Sequence, residues 1–465
     1  MNEKQVSDIV KKVIQQLHND KLVEENIERK QQIGIFDSME EAIAAAKKTQ
    51  KLMQVLPMDA RERIISNIRK KTIENAHIMA YMAVEETGMG NIGHKIIKHK
   101  LLAEKTPGTE DLTTTAWSGD RGLTLVEMGP FGVIAAITPS TNPSETVICN
   151  TIGMIAGGNT VVFNPHPSAK KVSNYAVTLV NEASMEVGGP ANIAVSVVKP
   201  NMETSNTMIK HKDISLIVAT GGPGVVTTVL SSGKRGIGAG AGNPPVLVDE
   251  TADIEKAALD IINGATFDNN LPCIAEKEIV VVNEVADELI THLILNGSYM
   301  VTKEQQQKLV ELVFKNKALN RDCVGKDAKT ILSMIGVDAP ENTRMIIFEG
   351  EKEHPLIEEE LMMPIIGIVR AKDIDDAIEK AVWLEHGYRH SAHMHSKNVD
   401  NLTKFGKAVD TAIFVKNAPS YAALGFGGEG YCTFTIASRT GEGLTSAKSF
   451  TKQRRCVMAE ALCIR

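Results

Sequence analysis

Residues 129–140 read GPFGVIAAITPS, a glycine-bounded β-rich run that closes on a Thr-Pro-Ser turn. Three more runs follow, GNTVVFNPHPSA (158–169), ANIAVSVVKP (191–200) and ISLIVATGGPG (214–224), separated by segments of helical period or of small residues. Unbroken apolar runs of this length are strands covered on both faces, since a strand with one wet face would alternate. Strands spaced by helix-length segments build a parallel sheet of βαβ units. A second series repeats the pattern in PPVLVDE (244–250), EIVVV (278–282), RMIIFEG (344–350), MPIIGIVRAK (363–372) and TAIFVKNAPS (411–420). The expected class is therefore α/β, in two units of similar logic. Cys273, in DNNLPCIAEKEIVVV (268–282), falls between the first two runs of the second series.

Outward from these strands the chain turns helical. Ser38 and Glu41 stand in capping-box spacing, and Asp59 with Glu62 repeats that spacing after Pro57, so a helical pair is expected to run to about Thr87. Residues 1–18 carry Val6, Ile9, Val10, Val13, Ile14 and Leu17 on a polar background, one apolar stripe of a short helix. The charged stretch 19–34 behind it reads as a tether. Such a stripe suits either a helix docked on its own domain or an address that packs on a partner. The polar last thirty residues, with SFTKQRRCVMAEALCIR (449–465), and the strand-like GLTLVEMGPFG (122–132) suit contact with another subunit.

Composition excludes several classes. A chain of 465 residues is long enough for more than one core, and a formal charge of -6 offers no broad basic field for nucleic acid. No apolar run reaches membrane-spanning length and the first residues lack a secretory layout, so a cytosolic protein is expected. Six scattered cysteines without CxxC pairs argue for unbridged thiols and against structural zinc. HGYRHSAHMH (386–395) offers His386, His390, His393 and His395, but no carboxylate or cysteine pair completes a ligand set, and no metal is expected.

Strand ends followed by glycine let backbone N–H groups approach phosphate. Thr220, Gly221, Gly222 and Gly224 have that layout, although a tight strand-to-helix turn needs the same glycines. Asn142, in ITPSTNPSE, could face a crevice with its amide or simply form the turn.

Taken in order, GVIAAITPSTNP, GNTVVFNP, IVATGGPG, NNLPC, EEELMMP and ASRTGEG resemble the aldehyde dehydrogenase superfamily, and most closely the CoA-acylating members of propanediol and ethanolamine utilisation. The resemblance implies an aldehyde dehydrogenase-like α/β fold with two Rossmann-like domains and a small oligomerisation arm. It implies a cofactor domain over 35–237 with an oligomerisation strand near 120–130, a catalytic domain over 238–417, and a return segment with an oligomerisation tail over 418–465.

Residue by residue, the resemblance makes Cys273 the nucleophile and Asn142 the amide of its oxyanion hole. It puts the carboxylate that holds the nicotinamide ribose at Glu360, the pyrophosphate turn at Gly221 and Gly222 beside Thr220, and the cofactor-lining strand end at Thr138, Pro139 and Ser140. Two departures stand out. Gly238, in GAGAGNPP, occupies the place of the glutamate with which hydrolytic members activate water, which implies access for CoA in place of a general base. Asn164 replaces the usual lysine at the adenosine ribose, which leaves NAD and NADP both open.

The implied activity is NAD- and CoA-dependent oxidation of propionaldehyde or acetaldehyde to acyl-CoA, in a homodimer or homotetramer, without nucleic-acid or membrane partners. The N-terminal stripe resembles encapsulation peptides, which implies a shell-protein partner and a bacterial microcompartment in the cytoplasm. The alternatives are a hydrolytic dehydrogenase giving free acid and a non-catalytic microcompartment cargo protein.

Overall fold

The computed structural model describes residues 32–316 and 318–464, so the N-terminal stripe lies outside the described residues. The chain divides into two compact units. One takes in the chain up to Thr87, Ile92–Ile217 and Ser446 onward, and the other Gly88–Asn91 with Val218–Thr445.

In the first unit the strands Ile35–Phe36, Ala194–Val197, Thr160–Pro165, Val133–Thr138 and Ile214–Thr220 lie side by side in that order. The pairs Ile35–Phe36 with Ala194–Val197, Ala194–Val197 with Thr160–Pro165, and Thr160–Pro165 with Val133–Thr138 are parallel. Val133–Thr138 and Thr160–Pro165 are buried along their whole length, as their unbroken apolar runs require. The unit boundary falls inside Ile214–Thr220.

The helix Met39–Met53 opens with the expected capping box: Ser38 Oγ accepts from the Glu41 N–H and the Glu41 carboxylate accepts from the Ser38 N–H, both at 3.2 Å. The second expected box does not form. The helix Met58–Glu74 begins at an N-cap of Pro57, so Asp59 already lies in the first turn and pairs with Arg63 at 2.7 Å instead of capping. Two helices continue the series, Ala76–Thr87 and Ile92–Lys105; the sequence reading left the second unassigned.

A separate three-stranded antiparallel sheet has Gly122–Pro130 at its centre, flanked by Thr115–Gly119 and Thr451–Ala459. The tail strand is exposed along nearly its whole length, with Val457 64% and Trp117 across the sheet 54% exposed.

The second unit holds seven parallel strands in the spatial order Ser298–Met300, Met345–Glu349, Ile365–Ala371, Glu278–Val282, Pro245–Val248, Ser391–His395 and Ile413–Lys416. Its residues alternate between two cores. Val280, Val282, Ile346 and Phe348 belong to one, and Ile279, Val281, Met345 and Ile347 to the other. Both faces are dry, which is why the runs read as continuously apolar. Among the described residues, no helix is long and apolar enough to cross a membrane.

Candidate active site

In the second unit, the helix Ile254–Thr266 runs into a turn in which Asp268, Asn269 and Asn270 adopt φ of 49°, 54° and 66° in succession. Asp and Asn are the side-chain-bearing residues that enter this left-handed region at least cost. Asn270 stabilises the turn with its whole amide. Nδ2 donates to the carbonyls of Ala265 and Glu276 at 2.8 and 2.9 Å, while Oδ1 accepts from Lys277 Nζ at 2.6 Å. Lys277 is 4% exposed and donates also to the Asn270 carbonyl at 2.9 Å. Between these two residues the chain delivers Cys273, half-buried. Burial lowers the Lys277 ammonium, and the facing charges of Glu360 and the Cys273 thiol oppose that shift. His393 ties down the residue after the cysteine through a 2.9 Å contact of its Nε2 with the Ile274 carbonyl.

Gly242 is the close neighbour of the cysteine. A Cβ there would come within 2.8 Å of His390 Cγ and 3.1 Å of the Cys273 carbonyl oxygen, so only glycine lets the imidazole and the cysteine backbone face each other. His390 is buried, its N–H donates to Glu385 at 2.9 Å, and its Nδ1 lies 2.9 Å from the Ser391 hydroxyl. Its Nε2 has no hydrogen-bond partner among the described residues. Burial, reinforced by the charges of Lys277 and His393, pushes its pKa down to about 4, so the ring is neutral at pH 7. A neutral imidazole with an uncommitted nitrogen is a proton acceptor. Glu360, half-buried, is raised by burial, while Lys277 and the N–H of Gly242 favour its charged form.

Gly238 lies elsewhere in the same stretch. It sits in the strand Gly236–Ala239 with its N–H on Thr440 Oγ1 at 3.2 Å, and a Cβ would meet Val226 Cγ1 at 2.8 Å. The glycine beside Cys273 is therefore Gly242, a position the sequence reading did not single out.

The glycine turn after Ile214–Thr220 leads into the helix Pro223–Leu230, whose N-cap Gly222 has no side-chain cap. Added Cβ atoms at Gly221, Gly222 and Gly224 would meet nothing within 4 Å, so the helix N–H groups face open space. Thr220 holds Thr435 through a 2.9 Å hydroxyl contact.

In the first unit, Thr138 ends a central strand with its buried hydroxyl lacking a partner among the described residues, and Pro139 and Ser140 follow half-buried. Asn164 is buried, with Oδ1 accepting from Thr204 at 2.7 Å. Asn142 caps the helix Pro143–Ala156 by position, yet makes no side-chain cap. Within the second unit, the uncapped helix start behind open glycines fits the phosphates of a nucleotide.

Among the described residues, no group of three or more His, Cys, Asp and Glu is placed to hold a metal ion. His386 is spent on the Glu358 carbonyl at 2.8 Å and His393 on Ile274. His390 and Lys277 are the functional candidates the sequence reading missed. HGYRHSAHMH was visible as a cluster, but the neutrality of one ring is a property of its burial. Lys277 carried a usable signal, a lysine four residues after the cysteine, directly ahead of Glu278 and the apolar run 279–282.

The profile of the aldehyde dehydrogenase family matches residues 25–451. The chain is 44% identical over 471 residues to the acetylating acetaldehyde dehydrogenase of Escherichia coli, covering 100% of each. Among solved structures it is similar to a propionaldehyde dehydrogenase from the Clostridium phytofermentans fucose utilisation bacterial microcompartment, with 73% identity, TM-score 0.93, and coverage of 93% of this chain and 100% of that one. It is also similar to the Rhodopseudomonas palustris propionaldehyde dehydrogenase solved with bound CoA and an acylated cysteine, with 54% identity, TM-score 0.91, and coverage of 93% and 99%.

Proposed function

The chain belongs to the aldehyde dehydrogenase family, and from that premise we propose that it oxidises a short aliphatic aldehyde, propionaldehyde or acetaldehyde, to the acyl-CoA through a thioester on Cys273. The Cys273 sulfur, as thiolate, adds to the aldehyde carbon, and the carbonyl electrons move onto oxygen. The Asn142 Nδ2 and the Cys273 backbone N–H donate to that oxyanion. Thr138, Pro139, Ser140, Asn164, Thr220, Gly221, Gly222 and Glu360 are the residues that would hold a nicotinamide nucleotide, which would supply the acceptor for the hydride that the adduct loses. Cys273 then carries the acyl group as a thioester.

His390 Nε2 takes the proton of the CoA thiol. The thiolate attacks the thioester carbon, Cys273 leaves as thiolate, and the same donors hold the second oxyanion. All steps run in reverse from acyl-CoA. CoA needs less help than water because a thiol ionises far more readily, and thiol exchange is nearly balanced in energy. The observation that carries this reading is the neutral His390 packed against the Cys273 backbone at Gly242, a glycine of the stretch where hydrolytic members keep a glutamate.

The neutral Asn164 suits the unmodified ribose of NAD, with NADP the alternative a KM comparison resolves. The exposed antiparallel sheet joins copies of the chain into a homodimer or homotetramer. Residues 1–18 bind a shell protein and bring the enzyme into a microcompartment of the bacterial cytoplasm, in line with the microcompartment relative.

Intact-mass spectrometry tests the chemistry. Mixed with propionaldehyde and NAD without CoA, the protein should gain one propionyl group, lost on adding CoA and absent in Cys273→Ala. An unmodified mass would contradict the proposal.

A further inference from the structure

The helix Ile92–Lys105 buries two lysines in the first unit, Lys95 at 1% and Lys98 at 0% exposure. An ammonium taken out of water costs several kcal/mol unless it is paired and hydrogen-bonded. Lys98 Nζ lies 2.8 Å from Glu145 Oε1 and donates to Asn142 Oδ1 at 2.5 Å. Lys95 donates to the Thr141 carbonyl at 3.1 Å. His99 places Nδ1 2.7 Å from the Lys95 carbonyl, which makes that nitrogen the donor, and its Nε2 accepts from the Ser144 hydroxyl at 2.9 Å. Burial alone would raise Glu145, but the Lys98 and Lys95 charges overcome it and hold the carboxyl well below the usual carboxylate range. Residues 141, 142, 144 and 145 are thus all held by one face of this helix.

Asparagine at an N-cap ordinarily spends its oxygen on the N–H groups of the first turn. Asn142 spends it on Lys98. An ammonium has three donors and no acceptor, so only the oxygen of the amide can face it, and the flipped amide is forbidden. The Nδ2 is therefore turned away from the lysine, with one long contact to Thr141 Oγ1 at 3.4 Å. A cation on the amide oxygen also draws electron density from the nitrogen and strengthens its N–H as a donor.

We infer that Lys98, charge-paired with Glu145, is a positioning residue that fixes and polarises the Asn142 amide as the oxyanion donor; this rests on the reading of Asn142 given above. Lys98 touches neither substrate nor cofactor and acts through Asn142. The buried pair holds one amide orientation before the aldehyde arrives, which spares the reaction that ordering step.

The test is a double-mutant cycle on the full-length enzyme with propionaldehyde, NAD and CoA. Lys98→Met combined with Glu145→Gln removes both charges of the pair together, so neither is left facing the other's vacated place, while Lys95 keeps its bond to the Thr141 carbonyl. It should lower kcat by roughly tenfold or more with both KM values little changed, since one misplaced catalytic donor costs about that much. Introduced into Asn142→Ala, the same pair should change kcat by less than about twofold, because the group it positions is gone. Losses that multiply in the two backgrounds would mean a merely structural role and overturn the inference. Full kcat in Asn142→Ala would instead overturn the reading of Asn142 itself.

Asn142→Asp keeps the shape and the lysine partner, so it tests the orientation should the charge-pair variant not fold. One carboxylate oxygen is then held where the N–H group pointed, and kcat should fall below that of Asn142→Ala. A kcat at or above that of Asn142→Ala would overturn the inference.

Discussion

At His390 and Glu276 the same burial acts on two titratable groups with different consequences. His390 stays neutral far below the ordinary imidazole value, so acyl transfer to CoA should not lose its base near pH 6.5 but only near about 4. Single-turnover discharge of acylated Cys273 by CoA measures this, and an inflection near pH 6.5 would place the base elsewhere. His390→Ala should slow that discharge by about 10²- to 10⁴-fold while leaving acylation intact.

Glu276 is fully buried, and burial pushes it up to about 8 against the N–H of Ser420, which donates to it at 2.9 Å. Because the folded value lies above the ordinary glutamate value of 4.5, its contribution to stability is present below that value and lost as pH rises through about 8. Glu276→Gln is neutral at every pH, so its Tm should rise relative to the parent between about pH 5 and pH 9. A Tm difference that does not vary with pH would refute this. Neither shift was legible in the sequence, where His390 was one ring of a cluster and Glu276 one charge of a patch. Ionisation depends on which other segments cover the group.

The elements that present the site are short turns at strand and helix ends. The turn before Cys273 was readable as polar, but not as three successive left-handed residues sealed by one amide. Asn270→Ala removes that amide and leaves the Ala265 and Glu276 carbonyls and the Lys277 ammonium short of partners, so it should destabilise the protein by about 2–4 kcal/mol. Denaturant unfolding checks this, and a loss under about 1 kcal/mol would mean the turn holds without it. The glycine turn behaves differently: Gly221→Val meets open space, so it should leave Tm unchanged yet raise KM for NAD by roughly tenfold. Both turns showed in the sequence as punctuation because glycine, proline and asparagine restrict the backbone locally. The helix Ile92–Lys105 did not, since it buries lysines that a periodicity reading assigns to solvent.

Over the whole molecule, both parallel sheets were legible because strands covered on two faces must be continuously apolar, and each of the nine quoted runs forms a strand. Strand order and the division inside Ile214–Thr220 depend on contacts distant in sequence and were not. The strand over 122–130 was anticipated; its pairing with the tail strand Thr451–Ala459 was not. If that exposed sheet joins subunits, Val457→Asp with Met458→Asp should lower the mass seen by light scattering without unfolding the chain, and an unchanged mass would exclude this surface.

The central claim is that the acyl group on Cys273 leaves to CoA and not to water. Following the absorbance of reduced cofactor with propionaldehyde and NAD, with and without CoA, tests it most directly. Sustained turnover only when CoA is present is the predicted result, and equal steady turnover without CoA would contradict the account.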